Sequence, residues 1–175
     1  SGTVALGTSI SAVNDAPVAT GSATLAAVAE DVTAPAGSTV SSLFGTNFSD
    51  SADGVTGGSS AHSLKGVAIV GNTATAAQGK WQWSTDGSAW TDIATTGLSD
   101  SAAVYVGSAT LVRFVPAANY NGTPGSLTVR LIESSDSAAP ADGGTYDVSV
   151  NGGATSISSG TVALGTSISA VNDAP

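Results

Sequence analysis

Cysteine and methionine are both absent from the 175-residue sequence. Disulfide bonds, zinc–thiolate centres, iron–sulfur clusters and thiol nucleophiles are therefore excluded. The sequence also lacks an apolar run of about 18 residues, so we expect no membrane insertion. A small extracellular domain without disulfides needs another stabilising element, and a bound metal ion is the usual one.

Positive charge is scarce as well, with four basic residues against thirteen acidic ones and a net charge of -9. Nucleic acid is excluded as a partner because phosphate binding needs a basic surface. An anionic membrane surface would repel the chain. Eleven of the thirteen acidic residues are aspartates, which are frequent both in turns and among the ligands of hard cations.

The sequence contains an internal repeat. Residues 1–17 and residues 159–175 both read SGTVALGTSISAVNDAP, at an offset of 158 residues. An identity of this length does not arise by chance, so we interpret the chain as part of a tandem array. The copy reads as a strand followed by a turn-like linker. We therefore predict that 1–15 is the last strand and linker of a preceding repeat, 16–172 one repeat, and 173–175 the start of the next linker.

Residues 1–13 duplicate a strand that residues 159–171 already provide for the fold. One fold has one place for this strand. The first copy must then be free, lie along another sheet edge, or pair with a neighbouring molecule. We expect it to be ordered by an edge or by a neighbour, which allows strand exchange through residues 1–13.

Alternating apolar and polar residues predict short strands along the whole chain, with no sustained helical period. Turn-forming pairs such as Asp86-Gly87 and Asn121-Gly122 separate these strands. The pattern predicts an all-β fold, an antiparallel β-sandwich of the Greek-key type. The predicted strands are Ser22–Ala29, Ser38–Phe44, Leu64–Val70, Lys80–Thr85, Ala89–Ile93, Ala103–Val106, Thr110–Val115, Ser126–Ile132, Tyr146–Val150 and Ile157–Val171.

Three tryptophans, Trp81, Trp83 and Trp90, flank the Asp86-Gly87 pair. A two-residue type I′ turn there would place Trp83 opposite Trp90, with Trp81 on the same face. One interpretation is an aromatic corner of the core. The alternative is an exposed platform that binds carbohydrate or another surface. We favour the core because the chain has few other large residues to fill it.

Catalytic patterns are weak. The single histidine, His62, lies in a Gly/Ser-rich segment, and the sequence has no Gly-x-Ser-x-Gly motif. We interpret His62 as a solvated loop residue. Paired carboxylates could hydrolyse a glycoside, but the acidic clusters lie in turn-like segments. We therefore predict that the chain is not an enzyme.

Acidic and amide side chains gather at the ends of predicted strands, where the loops of a sandwich meet at one pole. Turn chemistry and solubility are one explanation for them. The other is a hard cation, and a ligand set made of oxygen atoms selects Ca²⁺. The predicted ligands are Asn14, Asp15, Glu30, Asp31, Asp50, Asp53, Glu133, Asp136, Asn172 and Asp173.

The segment Val13-Asn14-Asp15-Ala16-Pro17, repeated at 171–175, resembles the linker between cadherin-like and Ig-like extender repeats of giant bacterial adhesins of the RTX type. Ala29-Glu30-Asp31, Trp81–Gly87 and Arg113-Phe114-Val115-Pro116 are similar to motifs of the same family, in the same order. The resemblance spreads over most of the chain.

The resemblance implies Ig-like or cadherin-like sandwiches strung end to end, with Ca²⁺ near the junctions. It implies as ligands Asn14, Asp15, Glu30, Asp31 and Glu133. The chain departs from cadherin linkers at Ala12, where they carry Asp, and Asn47–Ser63 reads as an insertion. The implied role is a spacer that projects a distal binding domain at the cell surface, anchored through other parts of the protein. Its partners would be neighbouring identical repeats.

Overall fold

The computed structural model describes residues 1–172, so the predicted ligand Asp173 lies outside the described residues. The chain folds mainly into short strands, with one helix, α1 (Val40–Phe44), and 3₁₀ turns at Gly45–Asn47 and Ser51–Asp53. The strands are β1 (Val18–Ala19), β2 (Ser22–Thr24), β3 (Val28–Ala29), β4 (Ser38–Thr39), β5 (Phe48–Ser49), β6 (Leu64–Asn72), β7 (Gly79–Ser84), β8 (Thr91–Asp92), β9 (Ala103–Gly107), β10 (Leu111–Pro116), β11 (Leu127–Glu133), β12 (Thr145–Tyr146), β13 (Val162–Gly165) and β14 (Ile168–Ser169).

Two sheets make up most of the molecule. The larger has six strands in the order β12-β9-β6-β11-β13-β2, and the smaller has four in the order β4-β10-β7-β8. Two-stranded ribbons join β1 to β5 and β14 to β3. The prediction of a β-rich, mainly antiparallel fold is confirmed. Two pairings differ from it, because β13 runs parallel to β2 and β14 runs parallel to β3.

Side chains from both sheets pack into one apolar core. Trp81 and Phe114 of the smaller sheet are fully buried and meet edge to face, with ring centroids 5.1 Å apart. Alternate residues of β11, among them Val129 and Leu131, point from the larger sheet into the same cluster. This alternation is what the period of two in an extended chain requires. Within residues 1–172, no helix is long and apolar enough to cross a membrane.

The second copy of the duplicated segment closes the fold. β13 lies between β11 and β2, and its Val162 and Leu164 are fully buried. The equivalent residues of the first copy, Val4 and Leu6, are 94% and 100% exposed. Residues 1–13 form no strand and are exposed along their whole length. The expectation that an edge of the same molecule orders them is therefore wrong.

The segment 38–44 was predicted as a strand, and this prediction is wrong beyond β4. The Thr39 side chain caps the helix that follows by accepting a hydrogen bond from the Ser42 amide, as a helix N-cap does. Val40, Leu43 and Phe44 are buried. Their i, i+3, i+4 spacing is the helical signal, but it covers only five residues and is too short to stand out from alternation.

The predicted tryptophan hairpin also differs. Trp83 pairs with Thr91 and not with Trp90, because the connection from 85 to 90 is longer than a two-residue turn. Asp86 organises this connection by accepting hydrogen bonds from the amides at 88 and 89. Trp81 is fully buried, whereas the Trp90 ring lies under the Arg113 guanidinium at 3.8 Å. The three rings therefore do not form one exposed platform.

Candidate metal centre

Asp50 and Asp53 are brought together by a 3₁₀ turn. Asp50 precedes the turn at Ser51–Asp53, and Asp53 ends it. Side chains three residues apart eclipse one another in 3₁₀ geometry, so both carboxylates lie on one side. The Gly54 amide closes the turn onto the Ser51 carbonyl at 3.2 Å. The Asp50 and Asp53 side chains are 0% and 3% exposed.

Glu133 supplies the third carboxylate from the last position of β11. It follows Leu127, Val129 and Leu131 in the alternate series of buried residues, and it is itself fully buried. The pairing of β11 with β6 shifts register between residues 132 and 133. A β-bulge of this kind re-aims a side chain at the end of a strand. The carboxylate of Glu133 thus occupies a buried position that the alternation along β11 would otherwise assign to an aliphatic side chain.

His62 is held against these carboxylates by its own backbone and by its neighbour. The His62 amide donates a hydrogen bond to Asp50 Oδ2. The adjacent Ser63 exchanges two hydrogen bonds with Ser134, one from the Ser134 amide at 2.8 Å and one to the Ser134 hydroxyl at 3.2 Å. These contacts fix the loop beside the end of β11. The interpretation of His62 as a solvated loop residue is wrong for its imidazole Nδ1, which is buried.

The four side chains converge on one point. One ligand atom from each of Asp50, Asp53, His62 and Glu133 lies within 4.8 Å of all the others. His62 Nδ1 is 3.4 Å from Asp50 Oδ2, 3.8 Å from Asp53 Oδ2 and 3.9 Å from Glu133 Oε1. We call these four residues the carboxylate–histidine group. Its ligand atoms could hold a metal ion.

Several polar atoms of this group have no hydrogen-bond partner although they are buried. They are Asp50 Oδ1, Glu133 Oε2 and His62 Nδ1. A buried polar atom without a partner costs roughly 1–3 kcal/mol, and more if it is charged. Native proteins rarely leave such atoms unpaired, and buried charges are usually paired or bound to a metal. The unpaired oxygens therefore point to a cation.

The charge balance points the same way. Three carboxylates face a single imidazole, and within residues 1–172 no lysine or arginine lies within 4.0 Å of them. Lys65 is close in sequence, but its amine donates to the backbone carbonyl of Asp136. Two like charges 4 Å apart repel by about 4 kcal/mol at the effective dielectric constant of a protein surface. A divalent cation would remove this repulsion.

The linker that precedes the repeat touches this group directly. The Asp15 amide donates to both carboxylate oxygens of Asp53, at 3.1 and 3.2 Å. The Asn14 side-chain amide donates to the Thr155 carbonyl at 3.2 Å. A cavity of about 370 Å³ lies between residues 12–14 of the linker and the side chains of Asp53 and His62. The side chains of Asn14 and Asp15 do not belong to the carboxylate–histidine group.

Glu30 and Asp31 form a separate acidic pair, next to the other end of the repeat. The buried Glu30 accepts from the Val171 amide at 2.5 Å and from the Asn121 side chain at 3.0 Å. Asp31 has a positive φ of 66° and accepts from the Asn119 amide at 3.0 Å. The predicted ligand Asn172 directly follows Val171 in the chain and is exposed. The predicted ligands are thus divided between two ends of the repeat.

Asp136 lies outside the carboxylate–histidine group and is buried. Its Oδ1 accepts from the amides of Ala138 and Ala139 at 2.8 and 2.7 Å. Its Oδ2 accepts from the hydroxyls of Tyr146 and Ser156, both at 2.6 Å. Burial alone would raise the pKa of Asp136, but these four hydrogen bonds outweigh it and the pKa is lowered. Asp136 therefore organises the loop that follows β11.

We expect Asp136→Asn to lower the free energy of unfolding by on the order of 3 kcal/mol at neutral pH, because the donors lose a charged acceptor. A lowered pKa stabilises the fold above the unfolded-state pKa of Asp, and this stabilisation is lost as the pH falls through the folded-state pKa. The deficit of the variant should therefore shrink below about pH 4. Urea unfolding between pH 7 and pH 2.5, in chelator, measures it. A deficit that does not vary with pH would contradict the assignment.

Sequence reasoning named three members of the carboxylate–histidine group and missed His62. The available signal was its position in the same predicted loop region as Asp50 and Asp53, the segment read as an insertion. The contact with Glu133, distant in sequence, follows only from the pairing of β6 with β11.

No protein-family model, no curated protein and no solved structure matches the chain.

Proposed function

We propose that this chain is a structural repeat of a long extracellular array, stiffened by Ca²⁺ that binds at the carboxylate–histidine group beside the linker. The role is that of a spacer and not of an enzyme. The resemblance of the linker to those of adhesin extender repeats supports this proposal, as does the identity of residues 1–17 and 159–175. We assign the fold accordingly to the Ig-like or cadherin-like sandwiches.

The observation that carries the proposal is that both ends of the linker sequence are bound by buried carboxylates. At the start of the repeat, the Asp15 amide binds the Asp53 carboxylate. At the end, the Val171 amide binds Glu30 Oε1. Val171 is the repeat equivalent of Val13. In an array, one linker therefore binds Glu30 of the preceding repeat and Asp53 of the following repeat through amides only two residues apart.

Adjacent repeats would then place negative charge on both sides of a very short connection. Without a cation, this charge favours bending or opening of the junction. Ca²⁺ offsets the repulsion at the group that holds Asp53 and thereby fixes the Asp15 amide. Extracellular modules bind Ca²⁺ with dissociation constants of about 0.1–1 mM. The resemblance of the linker supports placing the array at the cell surface, anchored through other parts of the protein and carrying a distal binding domain.

The exposed residues 1–13 have a place in this scheme. Their sequence is that of residues 159–171, which fill the slot beside β11 and β2. In the array, residues 1–13 close the preceding repeat in the same way. The partner of the segment is therefore another copy of the repeat, reached within one array or by strand exchange between molecules.

We expect Ca²⁺ at about 100 times its dissociation constant to stabilise the fold by roughly 2.7 kcal/mol relative to chelator. For a chain of this length, this raises the melting temperature by roughly 5–11 °C. In a tandem of two repeats, small-angle scattering should show an extended particle in Ca²⁺ and a wider range of shapes in chelator.

Asp53→Asn should abolish most of the Ca²⁺-dependent rise in melting temperature. Asp92→Asn is the matched control, because Asp92 lies on an exposed strand and pairs with Lys80 at 3.0 Å. This control should keep the full response to Ca²⁺. If chelator changes neither the melting temperature nor the scattering profile, the proposal is wrong.

A further inference from the structure

The carboxylate–histidine group contains a nitrogen ligand, which an all-oxygen calcium site does not need. His62 is the only histidine of the chain. Its Nδ1 is buried and has no hydrogen-bond partner, and it is directed at three carboxylates. Ca²⁺ takes six to eight oxygen ligands, whereas imidazole is a ligand of zinc and related transition metals.

We propose that this group is a mixed nitrogen and oxygen site that binds Zn²⁺ through His62 Nδ1, and that Zn²⁺ displaces Ca²⁺ from it. The inference rests on the proposed function only in that both use the same group as a cation site. Two observations beyond the acidic composition carry it. His62 Nδ1 is buried without a hydrogen-bond partner and faces the three carboxylates. Asp50 and Glu133, whose side chains are 0% exposed, each present one oxygen to His62 Nδ1 and keep the other, Asp50 Oδ1 or Glu133 Oε2, buried without a partner.

The distances within the group are compatible with Zn²⁺, and the nitrogen ligand is the feature that favours it over Ca²⁺. A tetrahedral Zn²⁺ site with bonds of about 2.0–2.1 Å has its ligand atoms about 3.3 Å apart. His62 Nδ1 lies 3.4, 3.8 and 3.9 Å from the three carboxylate oxygens. Forming the site requires the three edges from His62 Nδ1 to contract by about 0.1–0.6 Å, and the edges between carboxylates, which are at most 4.8 Å long, by at most about 1.5 Å. Four residues with one ligand atom each also match the closed four-coordinate arrangement of structural zinc.

The backbone holds the histidine in place for this role. The His62 amide is bonded to Asp50 and the adjacent Ser63 to Ser134. The imidazole is 35% exposed while its Nδ1 is buried, so an ion can reach the group from solvent without unfolding of the sheet. Asp53, which also accepts from the Asp15 amide, would connect the bound Zn²⁺ to the linker. Zn²⁺ at low concentration could then fix the junction where Ca²⁺ is scarce.

The test uses the whole chain labelled with ¹⁵N-histidine, in which His62 gives the only imidazole resonances. ZnCl₂ and CaCl₂ are added separately at neutral pH, and the two ring nitrogens are followed by NMR. We expect Zn²⁺ to change the chemical shift of Nδ1 strongly and to fix the ring proton on Nε2. Ca²⁺ should leave the Nδ1 chemical shift unchanged. Calorimetry should show that Zn²⁺ still binds in excess Ca²⁺.

The variant His62→Ala should weaken Zn²⁺ binding by at least about 10–100-fold, the loss seen even for groups that only orient a zinc ligand. Its Ca²⁺ affinity should change by less than about threefold, because Ca²⁺ depends on the carboxylates. Asp92→Asn is again the control and should change neither affinity. Circular dichroism of each variant in chelator checks that the fold is retained.

The outcomes separate the two proposals. Ca²⁺ binding with no shift of Nδ1 in Zn²⁺ would overturn the zinc inference and leave the calcium proposal standing. Zn²⁺ binding that is unaffected by His62→Ala would place the ion elsewhere and would also overturn the inference. If neither ion binds, both proposals fail.

Discussion

Leu164→Ala should lower the free energy of unfolding by about 2–5 kcal/mol, whereas Leu6→Ala should change it by less than about 0.5 kcal/mol. The two leucines occupy equivalent positions in identical 17-residue segments. Leu164 is fully buried between β11 and β2, and Leu6 is 100% exposed. The cavity left at position 164 has no counterpart at position 6.

Thermal melting of the two single variants measures this difference. For a chain of this length, we expect a fall of roughly 4–20 °C for Leu164→Ala and of less than about 2 °C for Leu6→Ala. The comparison is unusually well matched because the local sequence around both positions is the same, so effects on the unfolded chain are similar. Equal losses at the two positions would show that the first copy also occupies the slot.

Multi-angle light scattering of the same variants tests strand exchange. If residues 1–13 seat in a second molecule, Leu164→Ala should increase the fraction of dimers, because it weakens the resident strand and leaves the donor strand intact. The double variant Leu6→Ala/Leu164→Ala should return the chain to the monomer. A monomeric Leu164→Ala variant at every concentration would exclude exchange between molecules.

Glu133→Gln should raise the stability of the chain in chelator and lower it in Ca²⁺. Glutamine keeps an oxygen to accept from the Ser135 hydroxyl, which bonds Glu133 Oε1 at 2.5 Å. Its amide replaces Oε2, which has no partner. Without an ion, one of three mutually repelling carboxylates is removed, and we expect a gain of about 2 kcal/mol. With Ca²⁺, the variant lacks a charged ligand and the gain becomes a loss.

Glu30→Gln is the matched control, since Glu30 and Glu133 are the only glutamates and both are buried. Both oxygens of Glu30 already accept hydrogen bonds, from Val171 and Asn121. An amide group would face one of these donors, so we expect a loss of about 1–3 kcal/mol in chelator. Melting curves in chelator and in Ca²⁺ distinguish the two variants. A loss for Glu133→Gln in both conditions would mean that its carboxylate serves the fold without an ion.

Two strands that form the core were readable from the sequence because they keep a period of two over at least four residues, namely Leu111–Pro116 and Leu127–Glu133. Leu64–Asn72 was readable as a short apolar run, and four consecutive residues of it are buried. The closing strand could be located because the duplicated segment marks it. The helix at Val40–Phe44 was not found, since five residues with a threonine cap carry little local signal. The parallel pairing of β13 with β2 was not predicted either, because it joins segments far apart in the chain.

The candidate site was predicted in part for the same physical reasons. Asp50 and Asp53 are three residues apart, so local geometry alone brings them together. Glu133 and His62 join them only through the pairing of β6 with β11 and the hydrogen bonds between Ser63 and Ser134. The hydrogen-bonding role of Asp136 was equally hidden, because its hydroxyl donors follow it by ten and twenty residues.

The parallel contact between β2 and β13 has a mechanical consequence. When the chain is pulled from both ends, the force on β2 acts toward the chain's N-terminus and the force on β13 acts toward its C-terminus. Because the strands run parallel, these directions are opposite along a common axis, so the two strands slide past each other under load. Their hydrogen bonds must then break together and not one after another. The same geometry applies to β3 and β14, so tension along the chain is resisted in shear by two pairs of strands that lie near the two ends of the fold.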